Sequence, residues 1–329
     1  MEYMQMPVLS SLAAILSWLG RQGTRAVAAL VFIGIAVPSA GALLKPFITE
    51  AVFLLLSTAF LCLDTSRLRG YMGRPLLVLL STAWNMLAMP LCFGLVCLLA
   101  GVKTGSPHLH QALMLQMVAS PMMASPALAA LMGLDATLVL VNLVLCTALV
   151  PLTAPLFAYI FIGPGLSLSP SALGLKLFVI LAGSALLGLT LRRLAGGEAV
   201  ARHQDKIDGL NVLALFVFVA AVMENVGATF GAEPMTVVGL TALAFGVFFA
   251  SLGLTFLVFV GAGRGRAFAL GLVAAQRNVG LMLAATGGAL PGLTWLYFAL
   301  AQFPYYLSPQ ILKPLARRLT AGADPDLSG

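Results

Sequence analysis

The sequence predicts an all-α membrane protein with ten transmembrane helices. Hydrophobic residues make up 60% of the 329 positions and charged residues only 9%, whereas soluble domains carry roughly 25% charged residues. So few charges cannot form a water-compatible surface, and lipid is therefore the natural solvent of this chain. The net charge is +7, but the basic residues lie in short segments between apolar runs. That distribution indicates membrane topology and argues against nucleic-acid binding.

Ten apolar segments are each long enough to cross about 30 Å of hydrocarbon at about 1.5 Å per helical residue. In chain order they cover residues 26–44, 47–64, 75–101, 109–134, 136–162, 171–194, 209–226, 235–261, 267–290 and 292–312. The apolar run within residues 1–25 lacks the basic start of a signal peptide and carries Glu2 instead, so we expect a peripheral helix that stays on the protein. Residues 26–318 are predicted to form one transmembrane domain, and 319–329 a disordered tail.

The basic residues predict how the ten spans are oriented. Ten spans place both termini on one side, and that side receives fourteen of the 18 lysines and arginines: Arg21, Arg25, Arg67, Arg69, Arg74, Arg192, Arg193, Arg202, Lys206, Arg264, Arg266, Lys313, Arg317 and Arg318. The opposite side receives only Lys45 and Lys103, while Lys176 and Arg277 lie within spans. The positive-inside rule therefore predicts cytoplasmic termini in a bacterial-type inner membrane.

The fourth span contains two Ser-Pro pairs, Ser120-Pro121 and Ser125-Pro126, near its middle. Proline removes a backbone donor and pushes the preceding residue away from helical geometry. Ser125 followed by Pro126 also suits the start of a new half-helix. One proline would indicate only a kink, but two closely spaced pairs predict a break in this span.

The ninth span carries Gln276, Arg277 and Asn278 near its centre. A loop between two spans is the alternative, but the flanks 267–275 and 279–290 are each too short to cross a bilayer. An arginine at mid-membrane costs about 2.5–3.5 kcal/mol on insertion scales, and such residues usually serve function.

The structural alternative for Arg277 is an ion pair, with Glu224 as a candidate partner.

The two predicted breaks lie about half a chain apart, as expected if two five-helix halves each contribute one. An odd number of spans per half makes the halves an inverted repeat. In such proteins broken helices cross at the bilayer centre, and their half-helix N-termini suit anions.

Four stretches carry a resemblance to the bile acid:sodium symporter superfamily. They are RPLLVLLSTAWNMLAMP at 74–90, the Ser-Pro region at 120–135, ATLVLVNLVLCTALVPLTAP at 136–155 and QRNVGLMLA at 276–284. The resemblance implies a panel of helices 1, 2, 6 and 7 and a core of helices 3–5 and 8–10, with broken helices 4 and 9 crossing in the core. It also implies alternating access and transport of organic acids or related solutes.

The sodium ligands of that superfamily are poorly kept in this chain. The positions that supply their oxygens fall on Asn85, Ser125, Pro126, Val139, Leu143, Val273, Arg277 and Asn278. Only Asn85, Ser125 and Asn278 keep a side-chain oxygen at these positions, so they are at most a remnant of an ion site. We expect Arg277 to replace the bound cation with a fixed charge and to hold a carboxylate or oxyanion bidentately.

The sequence thus predicts a secondary-active transporter of a small organic anion or related solute, with the usual sodium coupling disfavoured. The candidate substrate-binding residues are Ser120, Ser125, Pro126, Asn142, Thr147, Gln276, Arg277 and Asn278. No metal site and no cofactor are predicted, sodium is disfavoured as a bound ion, and the sequence points to no particular protein partner. A sensor or scaffold that no longer transports is one alternative. An intramembrane enzyme is another, but the acidic residues near the spans form no paired motif.

Overall fold

A computed structural model describes residues 14, 16–21, 37–63, 75–166 and 168–320, and within these ranges every regular element is helical. The first half of the chain contains α1 Pro38–Leu44, α2 Ile48–Cys62, α3 Pro75–Ala83, α4 Met89–Leu99, α5 Val102–Gly105, α6 Pro107–Val118, α7 Ser125–Leu131 and α8 Ala136–Phe157. The second half contains α9 Pro170–Ala195, α10 Gly197–Arg202, α11 Gln204–Met223, α12 Val226–Ala232, α13 Pro234–Phe259, α14 Arg264–Ala275, α15 Val279–Thr286, α16 Gly292–Leu300 and α17 Gln302–Thr320.

Six helical stretches of the described residues are long and apolar enough to cross a membrane. They are Ser39–Cys62, Pro75–Leu99, Ala136–Gly165, Pro170–Ala195, Gln204–Ala232 and Pro234–Ala262. Five of them coincide with predicted spans three and five to eight. The predicted fourth and ninth spans do not qualify because each is interrupted, as their proline and polar residues led us to expect.

The tenth predicted span, 292–312, is two helices rather than one. The first, α16, ends at Leu300 and α17 begins at Gln302. Pro304 explains the interruption, because its ring clashes with the carbonyl four residues earlier and it has no N–H to donate. The second helix continues to Thr320, so the predicted tail starts two residues too early, and residues 321–329 lie outside the described part.

The first two predicted spans are only partly visible. Residues 14 and 16–21 are helical, whereas most of 1–25 and the start of the first span lie outside the described ranges. From Pro38 onward, α1 continues into a 3-10 turn at Lys45–Phe47 and then into α2 without a loop. The stretch therefore counts as one candidate span.

The chain divides into two compact units. One contains the described residues up to Leu63 together with Phe178–Pro234. In this unit α11 packs against both α1 and α2. A Cβ at Gly41 would lie 2.5 Å from the carbonyl oxygen of Ala220, so the close approach of α1 to α11 requires glycine.

The other unit contains the described residues of 64–177 and those from Met235 onward. Part of its core is built by Val78, Leu138, Phe259, Ala267 and Leu270, which come from α3, α8, α13 and α14. Short helices α6, α7, α14 and α15 all belong to this unit. The candidate site described next lies entirely within it, while the predicted panel and core stay a prediction.

Candidate functional site

Both predicted interruptions are present in the second unit. In the fourth predicted span, α6 ends at Val118 and α7 begins at Ser125, with a proline in its first turn. We expected Ser125 to cap this half-helix, but Ala124 holds that position and no side chain bonds there. In the ninth, α14 ends before Gln276, and Asn278 caps α15 by accepting the N–H of Leu281 at 3.0 Å.

The two interruptions meet and satisfy each other's backbone groups. The N–H of Met122 donates to the carbonyl of Gln276 at 2.9 Å, and the N–H of Asn278 donates to the carbonyl of Ser120 at 2.8 Å. Backbone groups that leave a helix inside a membrane need such partners, because lipid offers none. We call the paired segments 119–122 and 276–278 the crossing.

The crossing presents its side chains on two faces. Its centre is an antiparallel bridge between Pro121 and Arg277. Directly opposite residues in such a pair point to the same face, and successive residues alternate. One face therefore carries Pro121 and Arg277, and the other carries a polar set: Ser120, Gln276 and Asn278.

The guanidinium of Arg277 is enclosed by uncharged oxygens, and only 1% of the residue is exposed. Its Nε donates to the carbonyl of Ala274 at 2.9 Å, and Nη1 donates to the carbonyls of Ala119 at 3.1 Å and Asn85 at 3.3 Å. Nη2 donates to Asn85 Oδ1 at 3.4 Å. These four oxygens, which we call the oxygen cage, use four of the five N–H groups of the guanidinium.

Two cage oxygens lie where helix dipoles favour a cation. Ala119 caps the C-terminus of α6, and Ala274 lies in the last turn of α14. The final carbonyls of a helix lack donors from their own helix and carry partial negative charge. Arg277 therefore neutralises the C-terminal ends of both interrupted helices.

The other two cage oxygens belong to Asn85, whose amide orientation is fixed by its neighbours. Asn85 Nδ2 donates to the carbonyl of Ser81 at 3.1 Å and to Asn142 Oδ1 at 3.0 Å. Asn142 is held in turn, because its Nδ2 donates to Ser81 Oγ at 2.7 Å. With both amide protons committed, Asn85 can offer only its oxygen to Arg277.

A second buried network supports the polar face of the crossing. Gln276 Nε2 donates to Ser308 Oγ at 2.9 Å, and that hydroxyl donates to the carbonyl of Tyr305 at 2.7 Å. The phenol of Tyr305 accepts from Gln116 Nε2 at 2.8 Å, and Tyr297 donates to Gln116 Oε1 at 2.6 Å. This network ties the interrupted helix α6 to α16 and α17.

The structure brings together six of the predicted residues: Asn85, Ser120, Asn142, Gln276, Arg277 and Asn278. Ser125 and Pro126 open α7 just beyond the crossing. Thr147 lies on α8, and no described contact joins it to the others. Among the described residues, the buried side-chain atoms without a hydrogen-bond partner include Ser120 Oγ, Ser125 Oγ, Thr147 Oγ1 and Gln276 Oε1.

The residues that support the site were not predicted from the sequence. Ala119 and Ala274 contribute only backbone carbonyls, for which no side-chain pattern exists. The side chains of Gln116, Tyr297, Tyr305 and Ser308 could have been noticed as polar groups within apolar spans. Their pairing across α6, α16 and α17 has no local signal.

Glu224 was the candidate ion-pair partner of Arg277, but its carboxylate pairs with a different residue. Glu224 accepts from Lys45 Nζ at 2.9 Å, and the two side chains are 20% and 40% exposed. Arg277 instead uses the oxygen cage. The Lys45–Glu224 pair is exposed enough to be screened by water, so it contributes at most about 1 kcal/mol to the free energy of unfolding.

Glu224→Gln is therefore expected to lower the apparent melting temperature of the detergent-purified protein by at most roughly 4 °C. Thermal unfolding followed by tryptophan fluorescence measures this change. Lys45→Gln should act alike, and the double variant should add little further loss. A loss well beyond this range would contradict the assignment of Glu224 to an exposed pair.

Comparison with known proteins supplies the family. A family model described as Sodium Bile acid symporter family matches residues 49–232, which is more than half of the chain. The chain belongs to the sodium bile acid symporter family. It is accordingly an integral, multi-pass member of a transporter family. No curated protein matches it significantly.

The family match covers Asn85, Asn142 and the interruption after α6, but it ends before Arg277. Among the positions that the resemblance assigns to sodium ligands, Val139, Leu143 and Val273 are buried and apolar. Their side chains offer no oxygen to an ion. In this family member the guanidinium of Arg277 bonds the oxygens around the crossing.

Proposed function

We propose that this protein is a secondary-active transporter of a small organic solute that works without bound sodium, with Arg277 as a built-in cation. The observation that carries the proposal is the oxygen cage around the guanidinium. Discontinuous membrane helices bind transported cations through unwound carbonyls and helix C-termini. Three of the four cage oxygens are backbone carbonyls, and two of these lie at helix C-termini.

The fixed charge also disfavours a free cation beside it. Two unit charges 4 Å apart repel by about 4 kcal/mol at an effective dielectric of 20. The apolar residues at Val139, Leu143 and Val273 would offer such an ion no side-chain ligand. Both effects support uniport, exchange or proton coupling in place of the sodium symport named in the family description.

The solute is proposed to be an anion. None of the four partners of Arg277 carries a charge, so its positive charge acts on the surroundings of the crossing. An anion bound at the polar face formed by Ser120, Gln276 and Asn278 would be attracted. A bidentate contact with Arg277 itself stays a prediction, and it requires the guanidinium to leave part of its cage.

The proposed mechanism is alternating access in a ten-helix fold built from two inverted five-helix halves. The distance of about half a chain between the interruptions supports this arrangement, and so does the asymmetric distribution of basic residues. The panel would contain helices 1, 2, 6 and 7, with the other six in the core. Both termini are proposed to be cytoplasmic, in an inner or plasma membrane.

A sensor or scaffold without transport is the second candidate, and the loss of the sodium ligands favours it. A measurement of solute flux across the membrane separates the two functions, because only the transporter moves the solute. An enzyme is not proposed, because the site contains no acid pair and no nucleophile with a base beside it.

The proposal is tested by a thermal-shift screen of small organic acids, including cholate, followed by uptake into proteoliposomes. Each assay is run in sodium chloride and in choline chloride at equal ionic strength. We expect saturable uptake of a stabilising acid at the same rate in both salts. Uptake that requires sodium would contradict the proposal, and binding without uptake would favour the sensor.

A further inference from the structure

The third predicted span has an irregular turn at the residue that contributes half of the oxygen cage. Between α3 and α4 the chain forms a π turn at Trp84–Ala88, in which the N–H of Met89 bonds to the carbonyl of Trp84. In such a turn each carbonyl pairs with the N–H five residues later. π turns of this kind occur frequently at functional sites.

Neither the π-helical nor the α-helical donor is free to bond the carbonyl of Asn85 within its own helix. Its partner in the π pattern is residue 90, which is a proline without an N–H. Its partner in an α-helix would be Met89, whose N–H is already bonded to Trp84. The carbonyl is therefore left to accept from Arg277 Nη1, at 3.3 Å.

We propose that Pro90 is a positioning residue: it keeps the carbonyl of Asn85 unbonded within its own helix so that this oxygen completes the cage around Arg277. The proposal rests on the function assigned to the cage but concerns a residue that touches neither solute nor guanidinium. Pro90 is buried in the first turn of α4. A buried carbonyl of Asn85 without a donor would destabilise the fold, and the hydrogen bond from Arg277 removes this cost.

The alternative is that Pro90 only bends the helix. The two possibilities differ in how Pro90→Ala responds to the residue at 277. An alanine at 90 supplies an N–H that competes with Arg277 for the carbonyl of Asn85. If that carbonyl has lost the guanidinium, the same N–H gives it a partner and also repairs the helix. Pro90→Ala should therefore destabilise the protein when Arg277 is present and stabilise it when Arg277 has been replaced.

The experiment is a double-mutant cycle of Pro90→Ala with Arg277→Met, measured as apparent melting temperature in detergent. We expect Pro90→Ala to lower the melting temperature by roughly 2–4 °C when Arg277 is present, and to raise it by a similar amount in Arg277→Met. Pro314 lies inside α17 and is exposed. Pro314→Ala is the matched control and should have the same effect in both backgrounds.

Equal effects of Pro90→Ala in both backgrounds would overturn the proposal, as would a double variant less stable than Arg277→Met alone. If Pro90→Ala fails to fold with Arg277 present, recovery of folded protein in the double variant supports it. The cycle contains no sodium and no solute. A sign reversal alongside sodium-dependent uptake would thus reject the proposed function while keeping Pro90 as a positioning residue.

Discussion

Arg277→Met is expected to lower the apparent melting temperature by roughly 6–12 °C, the largest stability effect of any single change that we propose. Methionine fills similar space but leaves four buried oxygens without a donor, namely the carbonyls of Asn85, Ala119 and Ala274 and the Asn85 amide oxygen. Each such oxygen costs about 1–3 kcal/mol. Removing a buried cation returns about 3 kcal/mol, so the net loss lies between about 1 and 9 kcal/mol. A loss of about 3 kcal/mol gives the stated shift at about 2–4 °C per kcal/mol.

Thermal unfolding of the detergent-purified protein in choline chloride measures this loss. Lys176→Met is the matched control, because Lys176 is the other basic residue within a predicted span and its side chain is exposed. That change should shift the melting temperature by less than about 2 °C. Equal stability of Arg277→Met and the unchanged protein would show that the oxygens do not need the guanidinium.

Arg277→Gln is expected to make the stability of the protein depend on sodium. The side chain of glutamine returns an oxygen to a cage that has lost its cation. Sodium would then be the cation available to bind the oxygens of Asn85, Ala119 and Ala274. At a sodium concentration ten times the Kd, binding stabilises the folded protein by about 1.4 kcal/mol, or roughly 3–5 °C.

This gain is measured by titrating sodium chloride against choline chloride at constant ionic strength. Arg277→Met serves as the control, because its side chain adds no oxygen, and its melting temperature should rise less. Potassium should be tested beside sodium to separate a fitted site from a general salt effect. If sodium, potassium and choline leave Arg277→Gln equally stable, the cage is not a cation site.

Much of the architecture was predictable because it depends on local chemistry. Two Ser-Pro pairs predicted the interruption after α6, and three consecutive polar residues predicted the one after α14. The interruption between Leu300 and Gln302 in the tenth predicted span was not predicted, because Pro304 lies within an otherwise continuous apolar run. Whether a membrane proline kinks or interrupts a helix depends on neighbouring helices, which the sequence does not display.

The surroundings of Arg277 were not predictable from side-chain types. Glu224, the candidate carboxylate partner of Arg277, pairs with Lys45 instead. The actual partners are mainly backbone carbonyls, and every residue carries one. A backbone carbonyl is available to Arg277 only where it has lost the N–H donor of its own helix. At Asn85 that release follows from Pro90, five residues on, and this spacing is a signal that the sequence contained.

The choice of arginine over lysine follows from the geometry of the cage. Its oxygens come from three different segments, and the guanidinium reaches them from three nitrogens. A planar fork with five donors can bridge such a set, whereas an ammonium offers three donors from one point. An arginine also stays charged when it is buried, so the cage holds a cation in every conformation that keeps it closed.

The role of Arg277 as a built-in cation is tested most directly by equilibrium binding of radioactive sodium to the purified, unchanged protein in detergent. We expect no saturable binding at any sodium concentration up to physiological levels, because Arg277 already fills the cage. The same assay on Arg277→Gln should detect saturable binding that excess unlabelled sodium displaces. Saturable, stoichiometric sodium binding to the unchanged protein would contradict the claim that Arg277 stands in for the ion.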